Sequence, residues 1–370
     1  MIDRAMFTPF PAATLLRVLA IWLAMGAWLP AQDGTVTVPD GRQFSARALD
    51  SLVEEAAAAA EVPGLSLAIV DFSGTVYHHT YGLAHAEKRN PVSDSTVFEA
   101  ASLSKPLFAY FALRLQAAGL FDLDRPLIDY LVHRGVVAAD RQAYATLTAR
   151  QVLAHSTGFP NHTGGDSIRL AHAPGRGFSY SGEAYQYLAA VIAHLTHTDL
   201  QDGLDSLYRK TVGDELGMPR SGFVRNADLA AHRATGHDAE GEPTEAEIGS
   251  SFLAFSSLQT EADEYARFLT ALLRGEGLPA SCFRAMLGEQ NALPAGHDLR
   301  REIGQTGWGL GMARKPTPYG VMHQHTGNNH DFQSYMMILP ERNFGIVFFI
   351  SAPLAIPFIQ ELSRRLGPLF

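Results

Sequence analysis

The stretch FEAASLSKPLFAY, residues 98–110, places Lys105 three positions after Ser102. A serine hydroxyl is a weak nucleophile until a neighbouring base takes its proton. We predict a helix that begins close to Ser102, because Pro106 is typical of a first helical turn and residues three apart share a helix face. Lys105 would then lie beside the hydroxyl and act as a base if burial lowers its pKa. The alternative is a helix cap followed by a surface lysine.

A second candidate stands in PGRGFSYSGEAYQYL, residues 174–188, where a Pro/Gly loop leads into an amphipathic helical pattern. Tyr180 lies at that junction. A tyrosine near two cations can carry protons to and from a serine. The alternative is an ordinary aromatic residue between a loop and a helix.

The third candidate is HQHTGNNHDF, residues 323–332, in which His325-Thr326-Gly327 ends a strand-like run. A strand edge at this point could offer the backbone N–H of Asn328 to a developing oxyanion. The second donor would be the backbone N–H of Ser102.

The histidines of this stretch raise the alternative of a metal site. Strand alternation sends His323 and His325 to one face, but no carboxylate partner is evident, so we predict no metal.

The single cysteine, Cys282, excludes an intrachain disulfide and is expected to be a small buried hydrophobe. The sequence has no G-x-S-x-G, H-E-x-x-H or P-loop motif and no G-x-G-x-x-G after a strand, and we predict no cofactor.

Elements that could position these residues follow from hydrophobic periodicity. A helix is predicted over 46–61, a hairpin over 65–84, mostly helices over about 106–263, and then four short strands before a last helix over 355–366. The simplest assembly is an α+β fold. Both strand groups join one antiparallel sheet flanked by the N- and C-terminal helices, and the helical lobe is inserted between them.

The composition describes a globular protein: 370 residues, 46% of them hydrophobic, with a formal net charge of -9. The charge and the lack of a long basic run argue against a nucleic-acid partner. The uncharged run over 18–31 is short for a membrane span but suits a secretory signal, with an uncleaved anchor as the alternative. We therefore expect a signal peptide over 1–31, one domain over 35–370, and an extracytoplasmic location, periplasmic or secreted.

In their order, Ser-x-x-Lys, Tyr-x-x and His-Thr-Gly resemble the three active-site elements of the serine β-lactamase and penicillin-binding protein superfamily. The branch is similar to the one that holds class C β-lactamases, D-Ala-D-Ala carboxypeptidases and family VIII esterases. The flanks VPGLSLAIVD, LTARQVLAHSTGFP and HTGNNHDFQSYMMILPERNFGIVFF extend the likeness from about residue 45 to 368. The resemblance implies a β-lactamase/transpeptidase-like fold. It also implies an acylated nucleophile at Ser102, with Lys105 as its base partner and Tyr180 as a second base.

The same resemblance places His325 at the lysine of the family's Lys-Thr-Gly and Asn328 at the strand N–H of the oxyanion hole, with Thr326 and Gly327 beside the substrate. Two departures change the expected specificity. Gly182 replaces the asparagine of the family's Tyr-x-Asn, and His325 exchanges a fixed charge for one expected to titrate near neutrality.

The departures shift the expected substrate from a β-lactam to an ester or a small amide or peptide. The resulting hypothesis is a secreted serine hydrolase that works through an acyl-enzyme on a small-molecule substrate. The alternatives are a penicillin-binding sensor that acylates without turnover and a class C-like β-lactamase.

Overall fold

The computed structural model describes residues 34–85, 87–165, 167–244 and 249–367. The predicted signal peptide over 1–31 lies outside these ranges. In the described ranges, no helix is long and apolar enough to cross a membrane.

Most strands of the described residues are in the first hairpin or near the C-terminus. They are β1 (Thr35–Thr37), β2 (Gln43–Ser45), β3 (Gly64–Asp71), β4 (Gly74–His85), β5 (Asn90–Pro91), β6 (Phe98–Glu99), β7 (Gln259–Thr260), β8 (Asn291–Ala292), β9 (Gly307–Trp308), β10 (Ala313–Thr317), β11 (Gly320–Asn328), β12 (Gln333–Leu339) and β13 (Phe344–Ile350).

Helices fill the intervening sequence and both ends. They are α1 (Ala46–Ala59), α2 (Ser104–Ala117), α3 (Arg141–Tyr144), α4 (Ala149–Leu153), α5 (Gly182–Thr196), α6 (Asp202–Tyr208), α7 (Asp214–Leu216), α8 (Ala227–His232), α9 (Ala262–Arg274), α10 (Ala280–Leu287), α11 (Asp298–Ile303) and α12 (Ala355–Leu366). Short 3₁₀ turns cover Ala101–Leu103, Leu127–Asp129, Ala138–Asp140 and Pro340–Arg342, and a π turn covers Arg209–Gly213.

A nine-stranded antiparallel sheet in the order β5-β4-β3-β13-β12-β11-β10-β9-β8 organises the fold. The order shows that the N-terminal hairpin joins the C-terminal meander through the pairing of β3 with β13. This arrangement confirms the predicted α+β architecture.

The two faces of the sheet are buried against different helices because side chains alternate along each strand. On one face Phe348 of β13 contacts Phe358 of α12, with ring centroids 5.0 Å apart, and α1 packs beside α12. On the other face Phe349 contacts Tyr265 of α9, with centroids 5.8 Å apart. Full burial of each such side chain contributes roughly 1.5–3 kcal/mol. The first and last helices therefore cover one face, as predicted.

Helix α2 is buried on all sides, from Ser104 to Leu113 without interruption. Such a helix lies in the interior of a domain rather than on its surface. The α-helix begins at Ser104, two residues after Ser102 and thus close to the predicted start. Ala101–Leu103 forms a 3₁₀ turn because Ala101 adopts a left-handed conformation, with φ 49°, that an α-helix does not accept.

Candidate active site

The predicted nucleophile and its base are in contact. Lys105 Nζ lies 3.1 Å from Ser102 Oγ and donates to the carbonyl oxygen of Phe255 at 3.0 Å. Ser102 stands in the 3₁₀ turn and Lys105 in the first turn of α2, so the junction of the two brings the side chains together.

Lys105 is enclosed by aromatic rings. Its side chain is 1% exposed, and Nζ lies 4.5 Å from the ring centroid of Tyr180, 5.8 Å from that of Tyr185 and 5.6 Å from that of Phe255. Burial lowers the pKa of Lys105 well below its ordinary value, because removal from water disfavours the charged form. This burial meets the condition under which a lysine can accept a proton from serine, and it excludes the surface-lysine alternative.

Packing against β11 sets the position of the Ser102 turn. A Cβ on Gly327 would lie 2.5 Å from the backbone oxygen of Ala100 and 3.1 Å from the Cβ of Ala101, so only glycine permits this close approach. Ser334 of β12 donates to the same Ala100 oxygen at 2.7 Å. Ala101 adopts a left-handed conformation, which costs a non-glycine residue of order 1 kcal/mol. The two neighbouring strands therefore hold it in this conformation.

The end of β11 offers a backbone edge beside Ser102. Strand β10 pairs with β11 only as far as Gln324, whereas β12 pairs with β11 to Asn328. Residues 325–328 therefore have one edge without a neighbouring strand of the sheet, and Asn328 lines a cavity of about 180 Å³ together with Ser102 and Lys105. This geometry fits the predicted pair of backbone donors at Ser102 and Asn328.

Tyr180 completes the contact around the nucleophile. A hydrogen bond joins its side chain to that of Ser102, and its ring lies against Lys105. Burial raises the pKa of Tyr180, and the bond to Ser102 opposes that rise. At neutral pH Tyr180 is therefore a phenol that can donate a proton and pass it on.

The expected titration of His325 near neutrality is wrong. The ring is 4% exposed, and burial, helped by the nearby Lys105, lowers the pKa of His325 to about 3. Nδ1 lies 2.7 Å from the backbone oxygen of Thr326, so it carries the proton of the neutral ring and donates it there. Nε2 has no partner among the described residues. The family's fixed positive charge is thus replaced by a neutral ring.

The remaining histidines of that stretch differ in their burial. His323 is 5% exposed, and burial lowers the pKa of His323 to about 4, whereas His330 is exposed and has φ 67°. In the described ranges, no group of three or more His, Cys, Asp and Glu side chains is arranged to hold a metal ion. Cys282 is buried, as expected, and its thiol contacts Gln116.

Residues 49–364 match the family model described as Beta-lactamase. The chain belongs to the Beta-lactamase family. This match confirms the resemblance of the three motifs and extends over both strand groups and the helical section between them.

Two curated proteins illustrate the relationship. Protein flp of Staphylococcus aureus (strain MRSA252) is 22% identical over 347 residues, which cover 87% of this chain and 66% of that protein. Esterase EstB of Burkholderia gladioli is 28% identical over 240 residues, which cover 57% of this chain and 59% of that protein. The matched region thus spans slightly less than two thirds of each relative.

Solved structures show the same fold. D-alanine carboxypeptidase AmpC from Burkholderia cenocepacia superposes with a TM-score of 0.71 at 22% identity, covering 87% of this chain and 99% of that one. A class C beta-lactamase superposes with a TM-score of 0.71 at 20% identity, covering 87% of this chain and 95% of that one. These similarities confirm the β-lactamase/transpeptidase-like architecture.

The sequence analysis did not single out His155, which orders the loop that carries Tyr180. Its ring centroid lies 4.4 Å from that of Tyr180; its backbone oxygen accepts from Ser179 N–H at 2.8 Å, and its Nδ1 accepts from Ser181 N–H at 3.1 Å. Burial, with Lys105 and His325 nearby, lowers the pKa of His155 well below its ordinary value. No spacing rule links residues 155 and 180, so only the fold reveals this contact.

Asn161 is a second residue that the sequence analysis missed. Its Oδ1 accepts the backbone N–H of Gly182 at 2.9 Å, at the position where the family's Tyr-x-Asn carries its asparagine. A Cβ on Gly182 would lie 3.0 Å from the Asn161 backbone oxygen, so the glycine allows the approach. Nδ2 donates to no group of the described residues, and Asn161 lines the cavity of Ser102. The missing asparagine at 182 was the signal that could have prompted a search for a neighbouring amide.

Proposed function

We propose that this chain is a serine hydrolase that cleaves an ester or a small amide through an acyl-enzyme on Ser102. The observation that carries the proposal is the 3.1 Å contact between Ser102 Oγ and a fully buried Lys105. No carboxylate of the described residues pairs with Lys105, so burial favours its neutral, proton-accepting form.

In the proposed reaction Lys105 takes the Ser102 proton as Oγ attacks the substrate carbonyl carbon. The backbone N–H groups of Ser102 and Asn328 stabilise the negative charge that develops on the carbonyl oxygen. Tyr180 protonates the leaving atom and is reprotonated through Lys105. Water then attacks the acyl carbon while Lys105 accepts its proton through the Tyr180 hydroxyl. The bond between the acyl carbon and Ser102 Oγ breaks, and Lys105 returns the proton to Oγ, which releases the acid and restores Ser102.

The neutral His325 favours an ester over a β-lactam. A β-lactam carries a carboxylate, and a ring with a pKa of about 3 offers it no positive charge at neutral pH. The name of the relative Esterase EstB supports the same direction.

The test compares the chain with its Ser102→Ala variant on p-nitrophenyl acetate and on a chromogenic cephalosporin. We expect Ser102-dependent ester turnover that falls at least about a thousandfold in the variant, with the thermal midpoint unchanged. Full activity in Ser102→Ala would refute the proposal. A stable covalent label on Ser102 after exposure to the cephalosporin, without turnover of either compound, would favour the non-turnover penicillin-binding alternative. Fast cephalosporin hydrolysis would favour the class C-like β-lactamase.

We also propose that the protein acts outside the cytoplasm after removal of residues 1–31. The uncharged run over 18–31 supports this location. Expression of the full sequence followed by N-terminal sequencing of the extracytoplasmic fraction tests it. A product found only in the cytoplasm with its first residues intact would contradict the proposal.

A further inference from the structure

Two cavities of opposite character meet at the candidate catalytic groups. The smaller, about 180 Å³, is lined by Ser102 and Lys105 and by polar side chains that include Asn161, Ser256 and Asn329. The larger, about 1030 Å³, is lined by Tyr180, His325 and Thr326, by apolar side chains that form most of its surface, and by a minority of polar surface that includes Gln305, Gln324, Gln360 and Ser363. Those apolar residues are Leu299, Ile303, Trp308, Ala313 and Ile359. Ser102 and Lys105 of the small cavity lie next to Tyr180 of the large one, with Lys105 Nζ 4.5 Å from the Tyr180 ring centroid.

The proton donor decides which half of the substrate occupies which cavity. A general acid must touch the atom that it protonates, and in the proposed reaction that atom belongs to the leaving group. Tyr180 lines the large cavity and not the small one. Asn328, which supplies an oxyanion N–H in the proposed reaction, lines the small one. The leaving group therefore extends into the large cavity and the acyl group into the small one.

The size and lining of each cavity then describe the substrate. About 180 Å³ corresponds to roughly six water molecules, which is room for an acyl chain of a few atoms. The free Nδ2 of Asn161 supplies a donor to a polar atom on that chain. The large cavity has the volume of a pocket for a drug-sized ligand, and its few charged residues include both signs, Glu302 with Lys315 and Arg364.

We infer that the substrate is an ester of a short, polar acid with a large, apolar alcohol. This inference rests on the proposed function and adds the orientation of the substrate in the site. A reversed ester, with a long acyl chain and a small alcohol, would place its apolar part against the polar wall around Asn161 and leave the apolar cavity filled with water.

Two isomeric esters test the orientation: hexyl acetate and ethyl hexanoate, which have the same atoms and differ in the direction of the ester bond. With acid release followed by titration at constant pH, we expect kcat/KM for hexyl acetate to exceed that for ethyl hexanoate by at least about tenfold. Equal values, or a preference for ethyl hexanoate, would overturn the inference. Ser102-dependent hydrolysis of p-nitrophenyl acetate in the same preparation would show that the proposed function stands even then, and its absence would remove the function itself.

A substitution in each cavity provides the second measurement. Leu299→Trp fills the large cavity and should lower the ratio of hexyl acetate to ethyl acetate turnover at least about fivefold. Ile356→Trp is the matched control, because Ile356 is 68% exposed on α12 and does not line the cavity, and it should keep the wild-type ratio. A ratio that Leu299→Trp leaves unchanged would overturn the assignment of the large cavity.

The polar character of the small cavity is tested with hexyl methoxyacetate and hexyl butyrate, in which an oxygen replaces a methylene of the acyl chain. Asn161→Leu should lower the preference for the methoxyacetate at least about fivefold, because the intrinsic reactivity of the two esters is the same in both proteins. An unchanged preference would overturn the role given to Asn161.

Discussion

The imidazole of His155 lies 4.4 Å from the ring of Tyr180, and its Nδ1 accepts from Ser181 N–H. The backbone oxygen of His155 accepts from Ser179 N–H, so this one residue holds the backbone on both sides of Tyr180. His155 has φ 53°, a left-handed conformation that asparagine tolerates better than most residues. His155 therefore acts as a positioning residue for the phenol that contacts Ser102.

His155→Leu should remove the acceptor of Ser181 N–H and leave that donor buried. We expect kcat to fall at least about tenfold with a smaller change in KM, and the free energy of unfolding to fall by roughly 2–4 kcal/mol. His155→Asn should recover part of both losses, because its Oδ1 can accept in place of Nδ1. Steady-state kinetics and urea unfolding measure the two effects. A wild-type kcat in His155→Leu would show that Tyr180 needs no such support.

Two substitutions test whether Lys105 acts as the base for Ser102. Lys105→Arg places here a cation that does not lose its proton in proteins, so it cannot act as the base, and we expect kcat/KM to fall about 10²–10⁴-fold. Lys105→Met fills the apolar surroundings without charge and should lose as much activity while unfolding at or above the wild-type temperature. An Arg variant within about fivefold of wild type would exclude Lys105 as the base.

Asn161 is expected to serve both the scaffold and the substrate. Asn161→Asp keeps an oxygen that can accept from Gly182 N–H near the start of α5, where a negative charge is favourable, so stability should change by less than about 0.5 kcal/mol. The same change removes the Nδ2 donor and adds an anion beside the site of the developing oxyanion, so ester turnover should fall at least about tenfold. Asn161→Leu is the comparison, because it loses the Gly182 bond as well and should be less stable. An Asp variant that is fully active would show that Nδ2 is dispensable.

Much of this architecture was predictable because its signals are local. The uninterrupted run of aromatic and β-branched residues in FGIVFFI predicts a strand buried on both faces, and β13 is one. The amphipathic pattern over 355–366 predicts α12. The spacing of Ser102 and Lys105 predicts their contact because three residues along a helical turn is a fixed geometry. These features depend only on neighbours in the sequence.

Burial and long-range contacts were not predictable from residue types. A histidine side chain in water has a pKa near neutrality, so the residue type alone predicts titration in this range. In the fold, burial beside Lys105 lowers the pKa of His325 and keeps the ring neutral. Similarly, the Tyr180 environment depends on His155, and the amide near Gly182 comes from Asn161, 21 residues away in the chain. Such contacts arise from how loops cross in three dimensions, which periodicity does not report.

The depressed pKa of His325 predicts a loss of stability in acid. Its pKa is about 3 in the folded chain against a usual 6.5, so between these values the unfolded chain binds a proton that the folded chain does not. Stability is therefore full above the unfolded pKa and falls as the pH drops below it. Because of this one group, the free energy of unfolding should be roughly 2 kcal/mol lower at about pH 5 than at about pH 8.

His325→Phe removes the titrating group, so urea unfolding should show a loss between these two pH values that is roughly 2 kcal/mol smaller than in wild type. His194→Gln, at an exposed position on α5, serves as the control and should keep the wild-type loss. If the Phe variant loses as much stability as wild type, His325 does not titrate with a depressed pKa.

Gly327 allows β11 to approach the turn of the nucleophile, and its replacement should separate them. In Gly327→Ala the new Cβ would lie 2.1 Å from Ser334 Oγ and 2.5 Å from the backbone oxygen of Ala100. The second contact is with backbone and cannot be relieved by a side-chain rotation. We therefore expect unfolding free energy to fall by about 1–3 kcal/mol, and ester turnover to fall further than stability explains, because Asn328 N–H moves away from Ser102. Gly249→Ala, where nothing lies within 4 Å of the added Cβ, should change neither. Wild-type activity in Gly327→Ala would mean that the approach of β11 to Ser102 does not govern catalysis.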